Sequence, residues 1–525
     1  MPVLRRFAVW AVPLALVLGA AAPRFWRLDR VPLGLHGDEA ITGMDARRAL
    51  REGWIGPYLY PSALGQPAGP VYVAAAVLGI IGESTATLRF SMAVFGIGTV
   101  LFTYLAARAM FSRAVAVLAA ILLAALPWHL HVSRIAFMVN AWPCLQMATL
   151  WLIFRARPGA AGAAPRAIAV GVAAGLTLYT YNAAPLSLPL FAIPFLYDLF
   201  HPPVTRRRTV AAAAVAVVTA LVVALPLLDY IRTHEEYFWH QEEVGVTHTA
   251  AWRGGDWSDR AALLAARAAE WGRGLAVGGR PDDGDGLGAV GYPLLDPLTG
   301  IAALVGLGLA VRRWREPACG VLIGAVVLLP LGALLTIEDG LYRRTLGLAP
   351  LLAVLAALPL ARLWHEAKQR GRAPRQAAAA ALGALLTLSA ARTALGYFGP
   401  LQTSEQMRYV FPYQVDAAAH FLAAQPPGAA VYWYSERWPA SYETRRWWAP
   451  DAEVVERSPE HGAARADDGG PVLAADSDRA TLFVLLGRYV DLAPELVRRH
   501  GGTVYEERAG GEVLFRAVMV QPPSP

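Results

Sequence analysis

Apolar runs long enough to cross a bilayer recur along most of this chain, with short arginine clusters between them. That alternation constrains the fold more than any other feature. A helix needs roughly 20 apolar residues to span the hydrocarbon core. About eleven segments approach that length, near 7–23, 87–108, 113–131, 138–155, 167–182, 184–200, 210–228, 294–311, 317–336, 344–363 and 376–397. With the N-terminus in the cytoplasm, the clusters Arg108/Arg113, Arg155/Arg157/Arg166, Arg206-Arg207-Arg208, Arg312/Arg313/Arg315 and Arg362 through Arg375 all fall on the cytoplasmic side. That is the pattern of the positive-inside rule. It holds only if 70–82, a short apolar stretch, lies at the interface instead of crossing.

Composition agrees. With 56% apolar and 17% charged residues and a mean hydropathy of +0.38, the chain is too apolar for a soluble protein. The net charge of +7 would suggest a nucleic-acid partner in a soluble chain, but here the arginines sit in loops between apolar runs and read as topology signals. No nucleic acid is expected. The expectation is an integral membrane protein whose N-terminus is cytoplasmic. Ala20-Ala21-Ala22 resembles a signal-peptidase site, but the many spans that follow favour an uncleaved first span. Cys144 and Cys319 both lie in apolar runs, so neither a disulfide framework nor a cysteine metal site is expected.

The outer face then carries 24–86, a loop 229–293 with Trp239, Trp252, Trp257, Trp271 and the acidic turn 281–286, and everything after about residue 400. Past that point the long spans stop. Short runs at 429–434, 480–486 and 512–520 read as strands, and 413–424 and 493–500 as helices. The expected architecture is a polytopic helical membrane domain over 1–400 and a small extracytoplasmic α/β domain over 401–525. The tail aromatics Trp433, Tyr434, Trp438, Tyr442, Trp447 and Trp448 suit a domain core or a membrane interface, or a stacking surface for sugar.

On the first outer loop stands Leu35-His36-Gly37-Asp38-Glu39-Ala40, opening an amphipathic segment that stops at Gly53. Asp38 as a helix cap with Glu39 as a first-turn acid, and Asp38 as a base, are both consistent with the spacing. Against the cap, position 41, where a reciprocal box wants Glu or Gln, holds Ile41. Adjacent helical residues point about 100° apart, so one acid is expected to act as base while the other orients loop or acceptor.

Arg134 stands near an outer helix end, where it needs an anion such as phosphate or a route to lipid head groups. Arg343-Arg344 oppose the positive-inside pattern, which points to phosphate binding or to an ion pair with Glu338 or Asp339. His129 and His131, two residues apart, do not converge on one helical face. His234 and His240 with Glu235, Glu236, Glu242 and Glu243 have no metal-site spacing. No metal and no cofactor is expected.

The ordered set of first span, Gly37-Asp38-Glu39-Ala40, helix ending at Gly53, Gln66-Pro67, interfacial helix, Ile81-Gly82 and Leu88-Arg89-Phe90 resembles the GT-C glycosyltransferases. It is nearest the branch holding protein O-mannosyltransferases and lipid A aminoarabinose transferases. The resemblance covers about 1–400 and is strongest over 25–140. It implies a GT-C-like bundle that takes a polyprenyl-phosphate sugar as donor, with Asp38 as base and Glu39 beside it. It also implies donor-phosphate contacts from Arg344, Arg343, Arg134 and Gln66, and acceptor or sugar contacts from Asn140 and His36. Gln66 stands where aminoarabinose transferases carry Lys, and Val132 through Asn140 lacks their second Asp. The implied reaction is inverting transfer to a hydroxyl of a protein, lipid or glycan at the outer membrane face. A flippase for a lipid-linked sugar and a catalytically silent scaffold are the alternatives.

Overall fold

Among the described residues, five helices are long and apolar enough to cross a membrane: Thr85–Met110, Arg206–Thr233, Pro317–Leu334, Arg343–Gln369 and Arg372–Leu401. Shorter apolar helices accompany them, among them Ala11–Phe25, Arg113–Ala125 and Pro297–Arg312. The protein is an integral membrane protein of polytopic helical class. The computed structural model describes all residues except Met1, Pro61, Ala63, Leu64, 157–162, 202–204, 236–243, 279–291, 338–341, Asp468 and 523–525. The acidic turn 281–286 and Trp239, His240, Glu236, Glu242, Glu243, Glu338 and Asp339 lie outside the described residues.

The chain divides into two compact units, one of Met1–Val31 with Asp45–Met407 and one of Pro32–Met44 with Arg408–Pro525. In the first, Arg343–Gln369 is the most enclosed of the five long helices, flanked by Arg113–Ala125 and Pro297–Arg312, whereas Arg372–Leu401 is almost wholly exposed. Apolar helices in lipid gain little from hydrophobic association, so close packing depends on small residues. Gly306 rests on the Leu355 carbonyl, and Gly171 and Gly175 bring Ala163–Thr177 onto Arg206–Thr233; a Cβ at any of them would overlap the neighbouring helix. The apolar run expected at 113–131 breaks at Leu126, because Pro127 cannot continue the preceding helix and instead starts the short helix Pro127–Val132. Ahead of the interfacial helix Gly69–Ile81, β1 (Tyr58–Leu59) and β2 (Gln66–Pro67) form a minimal antiparallel pair.

The second unit is built on a five-stranded sheet. In chain order its strands are β3 (Ala430–Tyr434), β4 (Val454–Glu456), β5 (Thr481–Leu486), β6 (Thr503–Ala509) and β7 (Glu512–Val520), arranged β4-β3-β5-β7-β6. β3 runs parallel to β4 and β5, while β7 runs antiparallel to β5 and β6. Near-continuous apolar runs in β3 and β5 bury both faces. Val431, Trp433, Val484 and Leu486 pack with Val415, Ala418 and Leu422 of the helix Tyr413–Ala423. Tyr432, Tyr434, Phe483 and Leu485 pack with Leu496 of the helix Ala493–His500. β4 is three residues long; β6 is largely exposed, carries Glu506, Glu507 and Arg508, and has a register shift after Glu507.

Candidate active site

The residues expected to carry chemistry fall into two sets within the first unit and one within the second. The first set surrounds the loop 127–140. The last carbonyls of a helix lack intrahelical donors, and the negative end of its dipole favours cations. Three buried arginines meet that demand around the end of the helix Pro2–Phe25 and the segment after it. Arg24 Nη1 donates to the carbonyls of Ala20 (3.0 Å) and Ala124 (3.3 Å), and its Nη2 lies 2.8 Å from His129 Nδ1. Arg89 Nη1 donates to Leu28 (3.1 Å). Arg134, 0% exposed, donates through Nη1 to Pro23 and Arg24 and through Nη2 to Trp26 (2.7 Å) and Val31 (2.9 Å). Its guanidinium also lies 4.8 Å from the Phe398 ring centroid.

Arg134 thus corrects the expectation of a phosphate ligand: both terminal nitrogens end on main-chain carbonyls, and its burial equally removes the route to head groups. Asn140, expected at the acceptor or sugar, is buried, and its Nδ2 donates to Val132 (2.7 Å), Ile135 (3.2 Å) and Phe137 (3.0 Å), clasping its own loop.

The second set is the turn Arg343–Leu348, which leads into the helix Ala349–Gln369. Its backbone is fixed from several sides. Gln146 Nε2 donates to the Gly347 carbonyl (2.7 Å), Trp271 Nε1 to Thr345 Oγ1 (3.2 Å), and Gly332 leaves no room for a Cβ against the Arg344 carbonyl. Gln146 is in turn held by Ser187, which receives Trp142 Nε1. Arg344 is 8% exposed, and Arg343, half-buried, places its guanidinium 5.7 Å from the Phe137 ring centroid. Gln66, half-buried in β2, pairs across to Leu59.

Asp38 and Glu39 belong to the second unit, where they open the helix Gly37–Glu52. The helix starts two residues earlier than a cap at Asp38 would have it. His36 is the cap residue: its carbonyl accepts from Ala40 N–H (3.0 Å), and its ring Nδ1 accepts the Asp38 N–H (2.9 Å). Glu39, 0% exposed, returns its carboxylate to the His36 N–H (3.0 Å), completing a capping box in which imidazole replaces the usual hydroxyl. His36, expected at the sugar or acceptor, thus commits Nδ1 to the helix start. Asp38, next to them in the first turn, is half-buried.

Other residues of the second unit seat this segment. Thr444 Oγ1 donates to the Leu35 carbonyl (2.9 Å), and the His36 ring lies 5.7 Å from Phe411. Gly34 has no room for a Cβ against the backbone of 411–413, nor does Gly43 against the Trp447 ring. The Gly37 N–H donates to the Tyr442 hydroxyl oxygen. Of the tail aromatics, Trp433 and Trp447 are core, Trp433 Nε1 donates to the Trp438 carbonyl (2.9 Å), and Trp448 Nε1 donates to Asp416 (2.8 Å). Sequence reasoning missed Tyr442 and Thr444 as partners of the Asp38 loop; the signal in the chain was the glycine spacing 34, 37 and 43. Among the described residues no group of three or more His, Cys, Asp or Glu is placed to hold a metal ion.

Residues 65–230 match the family described as dolichyl-phosphate-mannose-protein mannosyltransferase. No curated protein matches by sequence. Among solved structures, ArnT from Cupriavidus metallidurans is 16% identical with a TM-score of 0.59, in the apo state over 96% of this chain and 97% of its own, and bound to undecaprenyl phosphate over 97% and 98%. The archaeal oligosaccharyltransferase AglB from Archaeoglobus fulgidus, in complex with an inhibitory peptide and a dolichol-phosphate, is 13% identical over 97% of this chain and 74% of its own, with a TM-score of 0.54. Over nearly its whole length the chain thus has the fold seen in ArnT and AglB, a helical bundle with a C-terminal sheet domain, and within that bundle residues 65–230 resemble the mannosyltransferase family.

Proposed function

We propose that the protein is an inverting glycosyltransferase that moves a sugar from a polyprenyl-phosphate donor to an acceptor hydroxyl at the outer membrane face. The observation that carries this reading is the match of residues 65–230 to the mannosyltransferase family, joined to the acidic pair Asp38-Glu39 in the first turn of Gly37–Glu52, where Glu39 closes the helix cap. Support for the donor class comes from the mannosyltransferase family match and from the undecaprenyl phosphate and dolichol-phosphate held by similar structures.

In this scheme the acceptor oxygen attacks the anomeric carbon from the face opposite the phosphate. Asp38 takes the hydroxyl proton, the bond from sugar to phosphate oxygen breaks, and polyprenyl phosphate leaves with the bonding pair. Arg344, with Arg343 and Gln66, binds the donor phosphate, where fixed cations stabilise the charge that grows on the leaving group. The C-terminal domain is extracytoplasmic and the N-terminus cytoplasmic.

The test is sugar release from dolichyl- or undecaprenyl-phosphate-linked sugars by the purified chain and its Asp38→Asn variant. Removing a general base is expected to slow turnover by about 10²–10⁴-fold with the protein still folded. Full activity in Asp38→Asn rules out the base. A wild-type chain that binds or translocates the donor with its sugar bond intact supports a carrier instead.

A further inference from the structure

We propose that Tyr442 of the C-terminal domain is the positioning residue for Asp38, an inference that rests on the transferase reading above and assigns the aim of its base to a side chain some 400 residues away in sequence. The first turn of Gly37–Glu52 holds its main chain with three side chains, each on a different N–H. Glu39 takes that of His36, His36 Nδ1 takes that of Asp38, and the Tyr442 oxygen takes that of Gly37. The peptide on the N-terminal side of Asp38 is therefore fixed at both of its flanking amides, and the Tyr442 bond comes from outside the turn.

The fit at Gly37 is close on purpose of geometry alone. A Cβ there would lie 3.3 Å from the Tyr442 hydroxyl and 3.2 Å from Glu443 Oε2, tighter than side chains normally approach. Thr444, two residues on, anchors the Leu35 carbonyl, so the short helix Glu443–Trp448 and its leading tyrosine grip the segment at two points. Burial first, then the charges of Glu443 and Asp38, push the Tyr442 phenol well above its usual pKa. It keeps its proton, and its oxygen accepts the Gly37 N–H.

Misplacing a catalytic group by about 1 Å costs on the order of 100-fold in rate. The full-length chain in lipid nanodiscs, with a dolichyl-phosphate-linked sugar, should therefore show Tyr442→Phe lowering kcat by roughly 10- to 100-fold with donor KM and melting midpoint unchanged. Gly37→Ala should lower kcat too, by pushing the hydroxyl aside, and Gly37→Ala/Tyr442→Phe should match Tyr442→Phe alone, because both act through one bond. Wild-type kcat in Tyr442→Phe, a loss of kcat tracked by melting midpoint or KM, or losses that multiply in the double variant would each overturn the positioning role. Asp38→Asn measured alongside separates the two readings. Activity retained there removes the base itself, whereas an inactive Asp38→Asn beside a normal Tyr442→Phe removes only the positioning role.

Discussion

The loop 127–140 and the turn Arg343–Leu348 both bring arginine to the end of an apolar helix, and both suggest phosphate from sequence. Their structures differ in which residues hold the chain. In the loop, the terminal nitrogens of Arg134 end on four carbonyls and Asn140 Nδ2 on three, so these donors are consumed in holding the chain. In the turn the scaffolding is done by others, Gln146, Trp271 and Gly332, and it acts on the backbone around the arginines. A charged side chain spent on main-chain carbonyls is a structural part, whereas in the turn other residues do that holding.

The contrast can be broken most decisively at Arg134. Arg134→Ala removes its bonds to four carbonyls, two of them in buried contacts at about 1–3 kcal/mol each, so the protein should lose several kcal/mol and be recovered poorly folded. A well-folded Arg134→Ala with impaired donor binding would return it to the ligand class. Arg344→Ala should do the reverse, raising donor KM by roughly 10-fold or more, as loss of a charge-assisted bond does, with little change in melting midpoint. An unchanged donor affinity would remove Arg344 from the phosphate site. The smallest effect is expected at Glu39. Glu39→Gln keeps an oxygen for the His36 N–H, so stability should change by under about 1 kcal/mol and turnover should stay near wild type. A loss as deep as that of Asp38→Asn would give Glu39 a share in the proton transfer.

Much of the fold was legible because its signals are local. Apolar length marked the membrane helices, and β3, β5 and β7 fall at the runs 429–434, 480–486 and 512–520. The strands that escaped notice lack such a run: β4 has three residues, and β6 exposes both faces, so Thr503–Ala509 shows no apolar alternation. The site was less legible. Its acids were visible, but their roles depended on a histidine serving as helix cap, a residue type rarely found there. The seating of Pro32–Met44 on residues beyond 408 is long-range, and no periodicity records it. Arg134 misled for a related reason: sequence shows a cation near a helix end but not the carbonyls of Pro23 through Val31 that fold back to meet it.

The flanks of the C-terminal sheet bear on how copies of this protein behave when crowded in one membrane. An open strand offers unpaired amides to any neighbour, and two identical sheets would join edge to edge if nothing opposed it. Here one border is only the length of β4, too short to template a partner. The other, β6, is interrupted by its register shift and studded with Glu506, Glu507 and Arg508, the first held by Arg508 and by Arg516 at 2.7 Å. Both borders are thus poor templates for self-association.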